Sequence, residues 1–325
     1  MNRLCDAQAQ TCTTIEQRKS WNNMTNAEKT AYLNADRCLM SLPSRMTDFP
    51  GAKTRWDDLQ YAHINMTNVI HGVGGFLPFH RYYMNIHLQM LKNECNYTGG
   101  QPYWDEEADI DDLAGSSIFD TQYGFGGNGV GTDGCVIDGP FANTTLRYGP
   151  TYEINDNCLA RNLDPVSFQW ANRTYLDQIT VAQNYSSAWV LLSAKPHTAG
   201  HFAIGGNGTV GANGTMYDQA CSPGDPLFFL HHTNLDRLWW EWQAINLTSR
   251  LYDIAGNNSP RTSFIETFDL GYPTAAWYDY DGDNGGNVTT LNHTLSVLEL
   301  WPNATVGDVM DIQGGYLCYD PNPGA

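Results

Sequence analysis

Nine histidines occur in the chain, and eight of them fall in two groups, residues 63–87 and 197–232. Imidazole binds borderline metals and titrates near neutrality, so grouped histidines are where chemistry is sought first. In the second group His197 and His201 stand four apart, which on a helix puts both rings on one face, able to grip one ion. Thr198, Ala199 and Gly200 lie between them, so the glutamate base of the HExxH zinc hydrolases is missing. His231 and His232 are adjacent and would point about 100° apart, so only one can share that ion. Asp236 follows His232 by one helical turn, where a carboxylate can accept the ring N–H not used for metal. His232 is therefore the expected ligand, and His231 a packing or supporting residue.

In the first group His63 and His71 are eight apart, about 80° around a helix, and cannot both aim at one point from one helix. His71-Gly72-Val73-Gly74-Gly75 breaks a helix. This places His63 on a helix, His71 in a loop, and His80 early in the next helix, after Pro78. His87 shares the face of His80, but two turns are about 10 Å of rise, too far for one coordination shell. It is expected to be a buried, hydrogen-bonded histidine supporting the site. Two sets of three imidazoles, with no Cys, Asp or Glu at ligand spacing, imply a pair of metal ions; a single zinc site would leave one set idle.

The elements that must position these residues read mainly as helix. Thr25-Asn26-Ala27-Glu28 opens a helix over 26–41 that ends before Pro43. A second runs over 55–69, and a third from about Pro78 to Cys95. Another carries 197–203, and the strongest spans 226–246 behind Asp225-Pro226. The stretch 99–160 is rich in Gly, Asp and Asn and reads as long loops with short hairpins; short β-like pieces such as 294–301 follow 250. The expected architecture is one mainly α domain over 1–325, a four-helix bundle core within about 26–250, wrapped in long disulfide-tied loops with a few short β-strands. Residues 251–325 form its loop-rich end.

Composition narrows the setting. Hydrophobic residues make up 42% and charged residues 16% of 325, which suits a globular chain. A net charge of −18 disfavours nucleic acid and anionic membranes as partners. The eight cysteines lack a CxxC pair, allow up to four disulfides, and point to an oxidising compartment. Asn-x-Ser/Thr sequons recur from Asn23 to Asn303, so N-linked glycans and secretion are expected. The opening MNRLCDAQAQTC lacks a charged stretch followed by an apolar one, so a signal peptide is expected to have been removed.

Longer motifs carry a resemblance. His71-GVGGFLPF-His80-Arg81-Tyr82-Tyr83 resembles the first copper signature of tyrosinases and catechol oxidases, and Asp225-PLFFL-His231-His232-TNL-Asp236-RLW resembles the second. Pro102-Tyr103-Trp104-Asp105 is similar to the segment that follows the first site. The likeness spans about 26–245 and points to the short, secreted fungal members of this type-3 copper family. It implies two copper ions, CuA held by His63, His71 and His80, and CuB by His197, His201 and His232. It also implies O2-dependent oxidation of o-diphenols to o-quinones. Thr198, Phe202, Ile204 and Gly205 are then expected at the substrate entrance.

Some positions depart from the family pattern. Val69 stands where many members have a cysteine linked to the second CuA histidine, and His87-Leu88 where an aromatic and a glutamate are common. Thr198 follows His197, where monophenol-hydroxylating members often have Asn, and 184–196 contains no acid. This favours diphenol oxidation over a tyrosinase that also hydroxylates monophenols. An oxygen carrier of the haemocyanin kind, the rival of another class, would need a β-rich shielding domain, and the short segment 250–325 does not read as one.

Overall fold

The helices begin where short polar side chains can cap them. In the computed structural model, which describes residues 12–209, 211–267 and 286–321, α1 spans Asn26–Ser41 and α2 spans Arg55–Ile70. Each opens with a capping box, Thr25 with Glu28 and Thr54 with Asp57, in which hydroxyl and carboxylate take up the free amides reciprocally. α3, Phe76–Cys95, has Pro78 in its first turn and ends at Asn96, whose φ of 56° is left-handed. The three spans read from the sequence thus hold to within two residues.

The second half is helical over more of its length than periodicity indicates. α4 (Pro165–Phe168), α5 (Arg173–Thr180) and α6 (Tyr185–Leu192) lead into a π-helical turn, Ser193–His197, and then α7, Thr198–Gly205. The expected helix at 197–203 is therefore the end of a longer helical path. α8 spans Leu227–Ala244, and the Asp225 carboxylate accepts the Leu227 amide at 3.0 Å.

α8 is buried almost all round, its apolar residues Phe228, Phe229, Leu230, Leu235, Trp239 and Trp242 alongside the polar His231, His232, Asn234 and Asp236, as befits a central helix. It lies along α3; α1 and α2 pack on α3, and α6 packs on α8. The bundle reading stands. Strands are confined, among the described residues, to three two-stranded pairs. β1 (Glu16–Gln17) runs parallel to β6 (Tyr319–Asp320). β2 (Thr145–Tyr148) and β3 (Ile154–Cys158) form a bulged hairpin, and β4 (Thr294–Leu295) pairs with β5 (Ala304–Thr305).

Disulfides join Cys12 to Cys318, Cys38 to Cys95 and Cys135 to Cys158. Cys221 is an unbridged, buried thiol beside the Gly149 carbonyl at 2.8 Å, and Cys5 lies outside the described residues. Three of the four bridges that the count allows are thus present among the described residues. No helix among those residues is long and apolar enough to cross a membrane.

Candidate metal centre

Six imidazoles converge where α2, α3, α7 and α8 meet. His63 lies within α2, His71 terminates it in an extended conformation, and His80 sits in the second turn of α3. Their ring centroids are 5.1 Å (His63–His71), 5.1 Å (His71–His80) and 5.6 Å (His63–His80) apart. The second set is as close: 4.5 Å for His197–His201, 5.3 Å for His197–His232 and 5.5 Å for His201–His232. The sets face each other, with His80 stacked on His232 at 4.2 Å and His71 6.3 Å from His197. Within each set, one nitrogen per ring lies within 4.8 Å of the others.

Backbone carbonyls fix how these rings present themselves. His63 Nδ1 lies 3.0 Å from Ala220 O, His71 Nδ1 3.0 Å from Thr67 O, His80 Nδ1 2.8 Å from Phe76 O, and His201 Nδ1 2.8 Å from Met216 O. A carbonyl only accepts, so each Nδ1 carries the proton and each Nε2 keeps its lone pair. The Nε2 atoms of His63, His80 and His197 are buried with no hydrogen-bond partner, while those of His201 and His232 face each other at 3.3 Å. Buried polar atoms without partners are rare, and a shared cation in each set satisfies them. The donor set therefore fits two ions with an affinity for neutral imidazole.

Burial keeps the rings neutral. Loss of hydration holds His63 and His201 down to about 3, with neighbouring histidines adding to the effect. It drives His71, His80, His197 and His232 well below the ordinary imidazole value.

Two local devices put the second set in place. Pro196 has no N–H and cannot continue an α-helical ladder; the Thr198 hydroxyl donates to Ser193 O at 3.2 Å, and the wider π turn carries His197 into the group. Gly200 then lets α7 lie against α8, because a Cβ there would stand 2.1 Å from His231 Nδ1.

The supporting residues differ from expectation. Asp236 does not accept from His232, whose Nδ1 is without a partner. Instead it accepts from Arg81 Nε (2.5 Å), Arg18 Nη1 (2.7 Å) and the Tyr319 hydroxyl (2.5 Å). Two guanidinium cations outcompete a neutral ring for a buried carboxylate. Burial alone would raise Asp236, yet Arg81 and Arg18 bring it below its ordinary value. His231 stands close enough to the second set to count geometrically, but its Nδ1 pairs with Glu106 Oε1 at 2.5 Å. Burial lowers His231 to about 3 and raises Glu106 well above the carboxylate range, pushing both towards uncharged forms. His87 is buried and bonded as expected, but to Gln101 (3.2 Å) and Asp36 (3.1 Å), away from the other rings, and it stacks on Phe229 at 3.8 Å.

A pocket opens on His71, His197 and His201, lined also by Gly72, Ser193, Thr198, Phe202, Tyr217, Gln219 and Phe264. Thr198 and Phe202 are where the sequence suggested. Ile204 and Gly205 are not: both are buried behind the pocket, and Gly205 lies against the Met216–Tyr217 backbone. Glu106, Phe76 and Phe264 were missed. Phe76 packs 4.7 Å from His80 and 4.8 Å from His197. Its place two residues before Pro78, facing His80 one turn on, was the available signal; Glu106 and Phe264 had none, being far in sequence from what they touch.

Known proteins give the same result as the geometry. Residues 53–245 match the common central domain of tyrosinase. The chain is 31% identical over 348 residues to an N-acetyl-6-hydroxytryptophan oxidase of Emericella nidulans, covering 93% of this chain and 91% of that one. It is 31% identical over 316 residues to a tyrosinase of Aspergillus flavus, covering 93% and 78%. A polyphenol oxidase from Thermothelomyces thermophila superposes with a TM-score of 0.77 at 28% identity, covering 96% and 91%. The chain belongs to the tyrosinase family of oxidoreductases. That family is dicopper, and the two histidine groups can hold the two ions.

Proposed function

We propose that this protein oxidises o-diphenols to o-quinones with O2, two diphenols and one O2 giving two quinones and two waters. CuA would be held by His63, His71 and His80, and CuB by His197, His201 and His232. The observation that carries the reading is the pair of three-imidazole sets, four of whose rings are oriented by backbone carbonyls, with His71, His197 and His201 reached by a pocket. Bound copper would supply O2 binding and the two-electron acceptor that each diphenol needs. The chain's part is positional: Nδ1–H bonds hold the rings of His63, His71, His80 and His201, Phe76 and Phe228 keep water from the backs of His197 and His232, and Thr198 and Phe202 border the diphenol. Among the described pocket residues none is a carboxylate, which favours substrates that need no separate base to deprotonate a monophenol.

A second reading has one observation behind it. The Emericella relative is named for a hydroxytryptophan, so a hydroxylated indole is the alternative substrate. An oxygen carrier is disfavoured by the pocket reaching three of the histidines. The whole chain 1–325 is read as one catalytic domain, secreted and N-glycosylated, in keeping with three disulfides and the sequons. The test is O2 uptake by the copper-loaded protein with catechol and with phenol. Prompt uptake with catechol alone supports the proposal; lag-free uptake with phenol, or none with catechol, overturns it.

A further inference from the structure

A second cleft of about 1020 Å³ runs beside the pocket. One wall is the β2–β3 hairpin with its turn at Pro150–Tyr152; the other is residues 213–221. Phe202, Tyr217 and Gln219 line both spaces, so the cleft continues directly from the place where the diphenol would sit. Phe202 and Tyr217 stack at 5.6 Å, and Tyr217 remains 37% exposed on this shared edge. At the far side Tyr152 is 38% exposed and has φ 68°, a left-handed conformation unusual for a residue with a Cβ. Backbone held in such a region often marks a functional surface.

The cleft is far larger than a single phenolic ring requires and matches the size of sites that bury drug-sized molecules. Its chemistry is one-sided. The described lining residues include aromatic rings and the carboxylates of Asp133, Asp156 and Asp218, and no Lys, Arg or His. Asp156 is paired with Arg147, and Asp218 accepts the Ala220 and Cys221 amides, which leaves exposed Asp133 to meet a ligand's charge. With a net charge of −18 on the chain, an anionic group entering here meets repulsion, and the nearest cations, Arg147 and Lys53, are already paired with Asp156.

We propose that this cleft is a binding site for the tail of an extended phenolic substrate, an uncharged or cationic aryl group linked to the ring that is oxidised. The proposal rests on the diphenol-oxidase reading above and adds the substrate class. Tyr152 and Tyr217 offer ring faces and edges for the aryl group, and Asp133 selects its charge.

The experiment compares three probes on the copper-loaded enzyme: catechol, a catechol carrying a benzylamine tail, and the same molecule with a benzoate tail. The amine-tailed probe is expected to exceed catechol in kcat/KM by about tenfold, through KM, and the benzoate to show no gain. Tyr152→Gly suits the left-handed backbone and removes the ring. It should erase the gain while leaving catechol unchanged. Asp133→Lys should raise the benzoate probe towards the amine. Equal kcat/KM for all three probes, or a gain that survives Tyr152→Gly, overturns the proposal. Should catechol itself not be oxidised, the diphenol reading falls separately, and calorimetry with the amine-tailed probe decides the cleft. Binding that Tyr152→Gly abolishes supports it; binding that Tyr152→Gly leaves intact overturns it.

Discussion

Glu106 and His231 show what single residues contribute to this centre. His231 is close enough to the second histidine set to compete for its ion, and the 2.5 Å bond from Nδ1 to Glu106 holds it aside. Glu106→Ala removes that nitrogen's buried side-chain partner and is expected to cost about 1–3 kcal/mol, whereas Glu106→Gln keeps a hydrogen-bonding partner and costs less. Urea unfolding of the three proteins measures this; equal midpoints would refute it. The imidazoles themselves make stability depend on acid. Unfolded, His63, His201 and His231 titrate near 6.5; folded, they are held to about 3. Between those values the unfolded chain binds more protons. The metal-free protein should therefore be fully stable above about pH 6.5 and lose stability steadily as pH falls towards about 3. A denaturation midpoint that stays flat from about pH 7 to about pH 4 would contradict this. Five of the six proposed ligands were legible because helix geometry limits which histidines can share an ion; His232 over His231 rested on an Asp236 contact that the structure replaces with Arg81 and Arg18, and on the family resemblance. Glu106 was not legible, since no local pattern links it to a partner 125 residues away.

Elements succeed or fail here by what joins them. Arg81 on α3 donates to Asp236 on α8, stacks over Trp239 at 3.7 Å, and donates to the Val309 and Met310 carbonyls. This buried knot fixes the two helices that bring His80 onto His232. Asp236→Asn strands two buried guanidinium groups, Arg81 and Arg18, and should destabilise the fold by about 3–5 kcal/mol. Thermal unfolding checks it, and a loss below about 1 kcal/mol would mean that the knot is not what holds α3 to α8. Helix starts could be read because Thr25 and Thr54 cap locally. The role of Asp236 was misread because position along a helix says which face a carboxylate occupies, not which distant cation will claim it. The π turn was hidden too: Pro196 signals a break in the ladder, and only packing against α8 turns that break into the swing that aims His197.

At the scale of the whole molecule, the ends are tied to the centre. The Cys12–Cys318 bridge spans 306 residues, β1 pairs with β6 beside it, and the Tyr319 hydroxyl reaches Asp236. Constraining so long a loop restricts the unfolded chain strongly, so Cys12→Ser with Cys318→Ser should lower stability by about 2–5 kcal/mol in non-reducing buffer. Unchanged unfolding of that variant would show that the strand pair and Tyr319 suffice. The wrapping loops explain why the pocket was only half legible: Thr198 and Phe202 sit one and five residues after His197, but Phe264 arrives from the far side of the chain.

Anomalous diffraction from a copper-loaded crystal, collected at the copper absorption edge, tests the dicopper assignment most directly. The account predicts two peaks per chain, one bonded to His63, His71 and His80 and one to His197, His201 and His232, with His231 left on Glu106. A single peak, or a peak bonded to His231 or His87, would contradict it.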